Sequence, residues 1–308
     1  MTTTDQAPAA RELPQLLSGV VAVLPTPFER TGGEVDLEAL ERLTAVLDSA
    51  GVHTLTALGN TGEVFQLNAE ERRAVLAATA RGRTRAGLIA GVTGALSEAL
   101  ESASEAERLG YDAVMLHDPP DPLAGERGIV GLITEFADRS PLPVVLYVRT
   151  PRLGADALAE LALHPQIVGV KYARHDLHVL GTLLERPGVR DACTWTCGLA
   201  ESMVAPMRAL GLVGFTSGIA NVRPDLSLAV WRASRAGDFD ALAAALRPLL
   251  PFELLRTRAG GRHNVAVVKA ALALTGADAG EVRAPCEPLD ARAAEALAGI
   301  VRAWPASV

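Results

Sequence analysis

Lys171 is the residue of this sequence whose type and position most directly indicate covalent chemistry. The chain carries 29 lysines and arginines, and only Lys171 and Lys269 are lysines. Lys171 closes the apolar run 167–171, which is typical of a buried strand. Burial favours the neutral amine, the nucleophile that forms a Schiff base with a carbonyl, whereas arginine stays charged. We therefore predict that Lys171 is catalytic, and that Lys269, in the helical pattern 265–274, is an interhelical or surface lysine.

Tyr147 ends the strand pattern that precedes the one of Lys171, at 143–147. The carboxyl ends of neighbouring parallel strands meet at one face, so the two side chains are expected to lie close together. A phenol there would shuttle a proton or bind a substrate oxygen; the alternative is an aromatic residue at the edge of the core. Tyr172 follows Lys171 directly and must point to the other face of the strand, which predicts a packing role.

The segment GNTGE at 59–63 follows the strand pattern 54–58. Its two glycines allow a tight turn, in which backbone N–H groups and the hydroxyl of Thr61 can hold a carboxylate. A carboxylate beside such a turn, here Glu63, more often anchors backbone N–H groups than takes part in catalysis.

Metal and cofactor sites are weakly indicated. His117, Asp118 and Asp121 follow one strand pattern, and His175 and His178 are three residues apart, but neither set has a specific metal-binding spacing. The turn after the first strand lacks the glycine pattern of a dinucleotide site. We predict neither a metal nor a cofactor. A metal-dependent aldolase or hydrolase using His117, Asp118 and Asp121 remains the alternative.

These residues have to be positioned by an alternation of strands and helices. Eight βα units predict an α/β fold, the (β/α)₈ TIM barrel, with a C-terminal helical extension; a doubly wound sheet is the alternative. We expect a flexible N-terminal segment at 1–18, the barrel at 19–236 and the packed extension at 237–308. The strand patterns lie at 20–24, 54–58, 87–92, 113–116, 143–147, 167–171, 192–196 and 214–217, and the extension has helical patterns near 239–250, 265–274 and 291–304.

Charge and composition exclude several classes of partner. A net charge of −7 argues against a nucleic-acid partner, and no apolar run reaches the length of a membrane span. The start of the chain does not resemble a secretion signal, and three cysteines fit a reducing compartment. We expect a cytoplasmic protein without a membrane partner.

The order of these motifs resembles the dihydrodipicolinate synthase and N-acetylneuraminate lyase family, the class I lyases that act on pyruvate-type substrates. The resemblance extends from Gly19 to the last helix. It is carried by GVVAVLPTPF at 19–28, GNTGE at 59–63, Tyr147, GVK at 169–171, GFTSGIAN at 214–221 and VKAAL at 268–272.

The resemblance implies a homotetramer or homodimer in which Lys171 forms a Schiff base with a small 2-oxo acid. It implies that Tyr147 shuttles protons and that Asn60 and Thr61 hold the acid's carboxylate. It also implies that Arg152 binds the carboxylate of an aldehyde substrate, unless it is an ordinary surface arginine. Gly218, within the GFTSGIAN segment, is implied as a further substrate-binding residue.

Departures from the family pattern bear on which reaction is catalysed. Asn60 stands where synthases carry threonine, and 115–121 replaces a tyrosine-rich segment that holds a relay tyrosine. His117 or Asp118 would have to replace that proton carrier. We predict an aldolase or dehydratase acting on pyruvate or a 2-oxo-3-deoxy sugar acid; dihydrodipicolinate synthase proper and a non-catalytic 2-oxo-acid-binding barrel are the alternatives.

Overall fold

The computed structural model describes residues 13–29 and 33–306. Within them, parallel strands pair in chain order into a closed barrel, with the last strand against the first. This closure confirms the predicted barrel and excludes the doubly wound sheet. The strands are β1 Val20–Val23, β2 Thr54–Ala57, β3 Gly87–Val92, β4 Ala113–Leu116, β5 Val144–Val148, β6 Ile167–Tyr172, β7 Thr194–Cys197 and β8 Gly214–Ser217.

Helices alternate with the strands and cover the barrel. Side chains cap the first turn of some of them: Asn68 and Glu71 form a reciprocal capping box, and Asp36 accepts from the N–H of Ala39. The helices of the barrel are α1 Leu37–Ser49, α2 Ala69–Gly82, α3 Leu96–Arg108, α4 Glu126–Arg139, α5 Ala155–Ala162, α6 Leu177–Leu184, α7 Val189–Ala192, α8 Val204–Ala209 and α9 Pro224–Ala236.

The N-terminal part of the described chain closes one end of the barrel. Leu13–Leu16 forms a 3₁₀ turn, and Leu16 and Leu17 are buried among inward-facing side chains such as Val145. A Cβ built on Gly169 would collide with the Leu17 side chain, so this strand position requires glycine. Leu16 and Leu17 are thus buried within the segment 1–18, and the flexible N-terminal segment stays a prediction. Residues 1–12 of that segment lie outside the described residues.

The C-terminal extension contains four helices within the described residues: α10 Phe239–Leu246, α11 Leu250–Gly261, α12 Asn264–Leu274 and α13 Ala291–Ala303. The helix predicted near 239–250 is present but ends earlier, at Leu246, because Pro248 follows its last turn and Pro251 lies in the first turn of the next helix. Helix α11 packs on the turn Glu201–Met203, and α12 packs on the turn Ile219–Asn221. These contacts bring the extension to the carboxyl end of the barrel; the division at residues 236 and 237 stays a prediction.

No helix among residues 13–29 and 33–306 is both long and apolar enough to cross a membrane.

Candidate active site

A cavity of about 330 Å³ opens at the carboxyl end of the strands, and Lys171 and Tyr147 lie in its wall. The two residues are paired in register on β6 and β5. The Lys171 Nζ atom lies 4.2 Å from the centre of the Tyr147 ring. The cavity is also lined by Asn60, Thr61, Phe65, Arg149, Thr216, Gly218, Glu253, Arg256 and Arg262, among others.

The environment of Lys171 favours its neutral amine. The residue is only 5% exposed. Burial, together with the positive charges of Arg149 and Arg256, lowers the pKa of Lys171 to about 7, although the Cys197 thiol acts in the opposite direction. At neutral pH, the unprotonated amine is therefore available at the cavity wall.

Tyr147 is held as a protonated phenol. The Asn60 side-chain amide donates to the Tyr147 Oη atom over 3.1 Å. Burial raises the pKa of Tyr147 to about 12. Because the amide occupies an acceptor position of the phenol oxygen, the O–H itself can donate to a substrate oxygen.

The turn at 59–63 presents backbone donors to the cavity. The N–H groups of Gly62 and Glu63 close the turn onto the carbonyls of Gly59 and Asn60. The N–H groups of Asn60 and Thr61 donate to no group in the part of the chain that the structure describes. Both residues line the cavity, and the Thr61 side chain is buried. Such a turn can bind a carboxylate.

A buried ion pair holds this turn from behind. The Lys269 Nζ atom lies 2.7 Å from Glu63 Oε1, and both side chains are nearly inaccessible, at 2% and 0%. Glu63 Oε2 accepts from the backbone N–H of Arg283, the type of contact predicted from the sequence. Lys269 also donates to the carbonyl of Glu281. Lys269 is thus a buried structural lysine and not a surface one.

Arg152 does not reach the cavity of Lys171. Its guanidinium donates to the carbonyls of Pro119, over 2.6 Å, and Asp121, over 3.0 Å, in the segment after β4. It lines a second cavity of about 400 Å³. Arg152 therefore shares a cavity with Asn60 and Tyr147 but not with Lys171, Thr61 or Gly218.

Gly218 lines the Lys171 cavity at the end of β8. A Cβ at this position would collide with the Arg256 guanidinium, so the glycine makes room for that side chain. Arg256 in turn is fixed by Glu253, over 2.6 Å, and by Asn264. No local sequence pattern indicates this contact, because Gly218 and Arg256 lie on separate elements far apart in the chain.

Arg149 is a cavity residue that the sequence analysis did not assign. It lies two positions after Tyr147, so strand alternation places both on the same side of the chain. That alternation was the available signal. Arg149 borders both cavities.

His117 and Asp118, which the metal hypothesis requires, each form a hydrogen bond with another group. His117 Nε2 donates over 2.9 Å to the carbonyl of Leu58, which fixes the tautomer, and burial lowers the pKa of His117 to about 4. Asp118 accepts from the hydroxyl of Thr150. Among the described residues, no group of three or more histidine, cysteine, aspartate or glutamate side chains is arranged to hold a metal ion.

Comparison with known proteins identifies the family. The model of the Dihydrodipicolinate synthetase family matches residues 16–304. The chain belongs to this family. Members similar to it include 4-hydroxy-tetrahydrodipicolinate synthase 1 of Streptomyces coelicolor, 33% identical over 98% of this chain and 95% of that protein. A protein of Ectopseudomonas mendocina named "Probable 5-dehydro-4-deoxyglucarate dehydratase" is 31% identical over 95% of this chain and 98% of its own length.

Solved structures agree with this membership. The dihydrodipicolinate synthase of Bacillus clausii superimposes with a TM-score of 0.92 at 28% identity, covering 95% of this chain and 99% of its own. The synthase of Oceanobacillus iheyensis superimposes with a TM-score of 0.91, also at 28% identity, covering 94% and 97%. The dihydrodipicolinate synthetase family consists of lyases, and this member is a lyase as well.

Proposed function

We propose that this family member is an aldolase or dehydratase that acts on a 2-oxo acid, such as pyruvate or a 2-oxo-3-deoxy sugar acid, through an imine on Lys171. The observation that carries the proposal is a buried amine whose pKa is lowered to about 7, placed 4.2 Å from the ring of a protonated tyrosine. A nucleophilic amine and a proton donor side by side are what imine formation requires.

The first half of the proposed reaction builds the imine. The lone pair of Lys171 Nζ attacks the C2 carbonyl of the substrate, and the carbonyl oxygen takes the Tyr147 proton. The nitrogen next returns a proton to the Tyr147 oxygen, and its lone pair forms the C=N bond as the C–O bond breaks. The departing hydroxyl takes that proton and leaves as water, so a protonated imine and a Tyr147 phenolate remain. Asn60 holds the Tyr147 oxygen in place during these transfers.

The second half uses the protonated imine as an electron sink. In a dehydration, the Tyr147 phenolate takes a proton from C3 and the freed electron pair forms an enamine. The enamine then expels the C4 hydroxyl, which takes that proton and leaves as water. In an aldol cleavage, the Tyr147 phenolate takes the proton of the C4 hydroxyl, an aldehyde carbonyl forms at C4 as the C3–C4 bond breaks, and the electrons of that bond move into the imine to give an enamine. Through either step, the N–H groups of Asn60 and Thr61 would hold the substrate carboxylate.

Borohydride trapping tests this proposal. Incubation with pyruvate or a 2-oxo-3-deoxy sugar acid, reduction and peptide mass mapping should give one stable adduct, on Lys171. Product analysis of the same panel separates aldol cleavage from dehydration. Absence of an adduct with every 2-oxo acid tried would reject the proposal. If the condensation of pyruvate with aspartate semialdehyde were the fastest reaction, the protein would instead be a dihydrodipicolinate synthase. If adducts formed without turnover, it would be a binding protein.

The pH dependence of imine formation follows from the Lys171 environment. Protonation removes the nucleophile, so below the lysine pKa of about 7 the initial rate of adduct formation should fall roughly tenfold per pH unit. Above it the rate should level off. Timed borohydride quenches between pH 5 and 10 measure this profile. A rate that keeps rising through pH 10 would mean an ordinary, solvated lysine.

The Tyr147→Phe variant should separate proton transfer from imine chemistry. Losing a positioned proton donor should lower kcat by roughly 10²- to 10⁴-fold, while slow adduct formation on Lys171 persists. Steady-state kinetics and trapping measure the two effects. Tyr172→Phe is the matched control, since its hydroxyl donates to Asp176 on the outer face of β6. Equal losses in both variants would contradict the role of Tyr147.

We also propose that the enzyme is a cytoplasmic homotetramer or homodimer. Free thiols at Cys193, Cys197 and Cys286 fit a reducing compartment. Phe65 and Leu123 are exposed by 52% and 90%, which suits a contact between subunits. Light scattering after gel filtration measures the oligomeric state. A monomer at working concentration would reject the proposed homotetramer or homodimer. Cell fractionation tests the location.

A further inference from the structure

Two cavities meet at Tyr147. The first contains Lys171, and the second lies under the segment after β4 and includes Arg152. Four residues border both of them: Asn60, Phe65, Tyr147 and Arg149. A substrate attached to Lys171 therefore has room to extend past the Tyr147 ring into the second cavity.

Arg149 lies at this junction, and no acidic residue in the described part of the chain forms an ion pair with it. Its guanidinium forms no hydrogen bond and no ion pair with any residue in 13–29 or 33–306. The two neighbouring arginines differ in this respect. Arg152 is bound to two carbonyls, and Arg256 is bound to Glu253 and Asn264. Of these three cavity arginines, only Arg149 has all of its donors available for a ligand.

The acidic residues lining the two cavities do not serve as partners for Arg149. Glu253 pairs with Arg256 over 2.6 Å. Asp118 accepts from the Thr150 hydroxyl over 2.7 Å, and Asp121 accepts from the N–H of Leu123 over 2.8 Å. An unpaired guanidinium facing a cavity matches a carboxylate well, because its planar fork can donate two parallel hydrogen bonds.

We propose that Arg149 binds a second carboxylate of the substrate, so that the preferred 2-oxo acid is a dianion whose distal end occupies the second cavity. This inference rests on the proposed imine chemistry of Lys171. The 2-oxo carboxylate is assigned to the turn of Asn60 and Thr61, and Arg149 takes the other end. The aldehyde-binding role expected of Arg152 passes to Arg149, and Arg152 instead fixes the segment after β4.

Matched 2-oxo acids test this assignment. 2-Oxoglutarate is compared with 2-oxopentanoate, and 2-oxoadipate with 2-oxohexanoate, because each pair differs only in the terminal carboxylate. The measurement is the concentration that gives half-maximal borohydride trapping on Lys171. The wild-type protein should favour the dianion of at least one pair by roughly 10- to 100-fold, the effect of a charge-assisted hydrogen bond.

The Arg149→Met variant should lose that preference, because the dianions lose their distal contact and the monoanions have none to lose. Each protein is compared above the midpoint of its own pH profile, since the loss of a cation near Lys171 should raise that midpoint in Arg149→Met. Arg149→Lys keeps the positive charge but not the planar pair of donors, so it should recover part of the preference. An arginine that acts only on the lysine pKa would shift the midpoint and leave the dianion preference unchanged.

Several outcomes would overturn the inference. The first is that the wild-type protein binds both members of each pair equally well. The second is that the preference for the dianion survives in Arg149→Met. The third is that this preference is lost in Arg152→Met but not in Arg149→Met. Lys171→Met cannot form an imine, so calorimetry of 2-oxoglutarate and 2-oxopentanoate binding to this variant measures the distal contact by itself. Absence of trapping in the wild-type protein, together with a dianion preference in calorimetry of Lys171→Met, would therefore reject the proposed function and leave the Arg149 site standing.

Discussion

The Lys171→Met variant is expected to form no borohydride-trapped adduct and to lose at least roughly 10⁴-fold in kcat. Methionine keeps the apolar stem of the side chain but has no amine, so the imine cannot form. The barrel should fold normally, because the buried ammonium is replaced by a group that carries no desolvation cost. Intact-protein mass, circular dichroism and steady-state kinetics give the three readouts.

Lys171→Arg distinguishes charge from nucleophilicity. Arginine restores a cation at the same place but stays protonated, so it should be as inactive as methionine. The small number of lysines makes the peptide map simple, since Lys269 is the other ε-amine in the chain. An adduct on Lys269, or turnover by Lys171→Met above about one hundredth of the wild-type rate, would contradict the assignment.

The second large effect is expected for the ion pair behind the turn. Lys269→Met leaves the Glu63 carboxylate buried without its cation, which should lower the free energy of unfolding by about 3–5 kcal/mol. The double variant Glu63→Gln/Lys269→Met removes both charges and keeps an acceptor for the Arg283 N–H. It should recover most of the loss. Chemical denaturation at a fixed protein concentration measures the three proteins.

A surface pair provides the control for this experiment. Arg42 and Glu38 lie 3.5 Å apart on α1 with exposed side chains, so Arg42→Met should cost no more than about 0.5 kcal/mol. If Lys269→Met were as mild as Arg42→Met, the Glu63 pair would not be a buried charge pair in solution. A double variant as unstable as the single one would assign the loss to packing.

Local patterns in the sequence predicted the barrel because they report local physics. Strands buried on both faces need continuous apolar runs, and the run 113–116 has the bounds of β4. The predicted strand bounds are less accurate where a short helix precedes the strand. The run 192–196 starts two residues before β7, because Val189–Ala192 forms a short helix. Pro248 and Pro251 were visible in the sequence, but the helix between 250 and 261 was not recognised.

The sequence predicts only those site residues that lie at the ends of strands. Lys171 and Tyr147 close neighbouring strands, and parallel pairing fixes their separation, so the sequence could bring them together. Arg152 was placed by resemblance, and the structure binds it to the carbonyls of Pro119 and Asp121. The conformation of that segment depends on packing between loops, which periodicity does not describe.

The sequence by itself determined the family, the barrel and the lysine that can act as a nucleophile, because strand period, burial and side-chain type are properties of single segments. Tertiary structure alone decided that Lys269 neutralises Glu63, that Gly218 admits Arg256, and that Arg149 borders two cavities with no ion-pair partner among the described residues. Each of these is a contact, or a missing contact, between segments far apart in the chain. Only the closed barrel and its packed extension bring those segments within bonding distance.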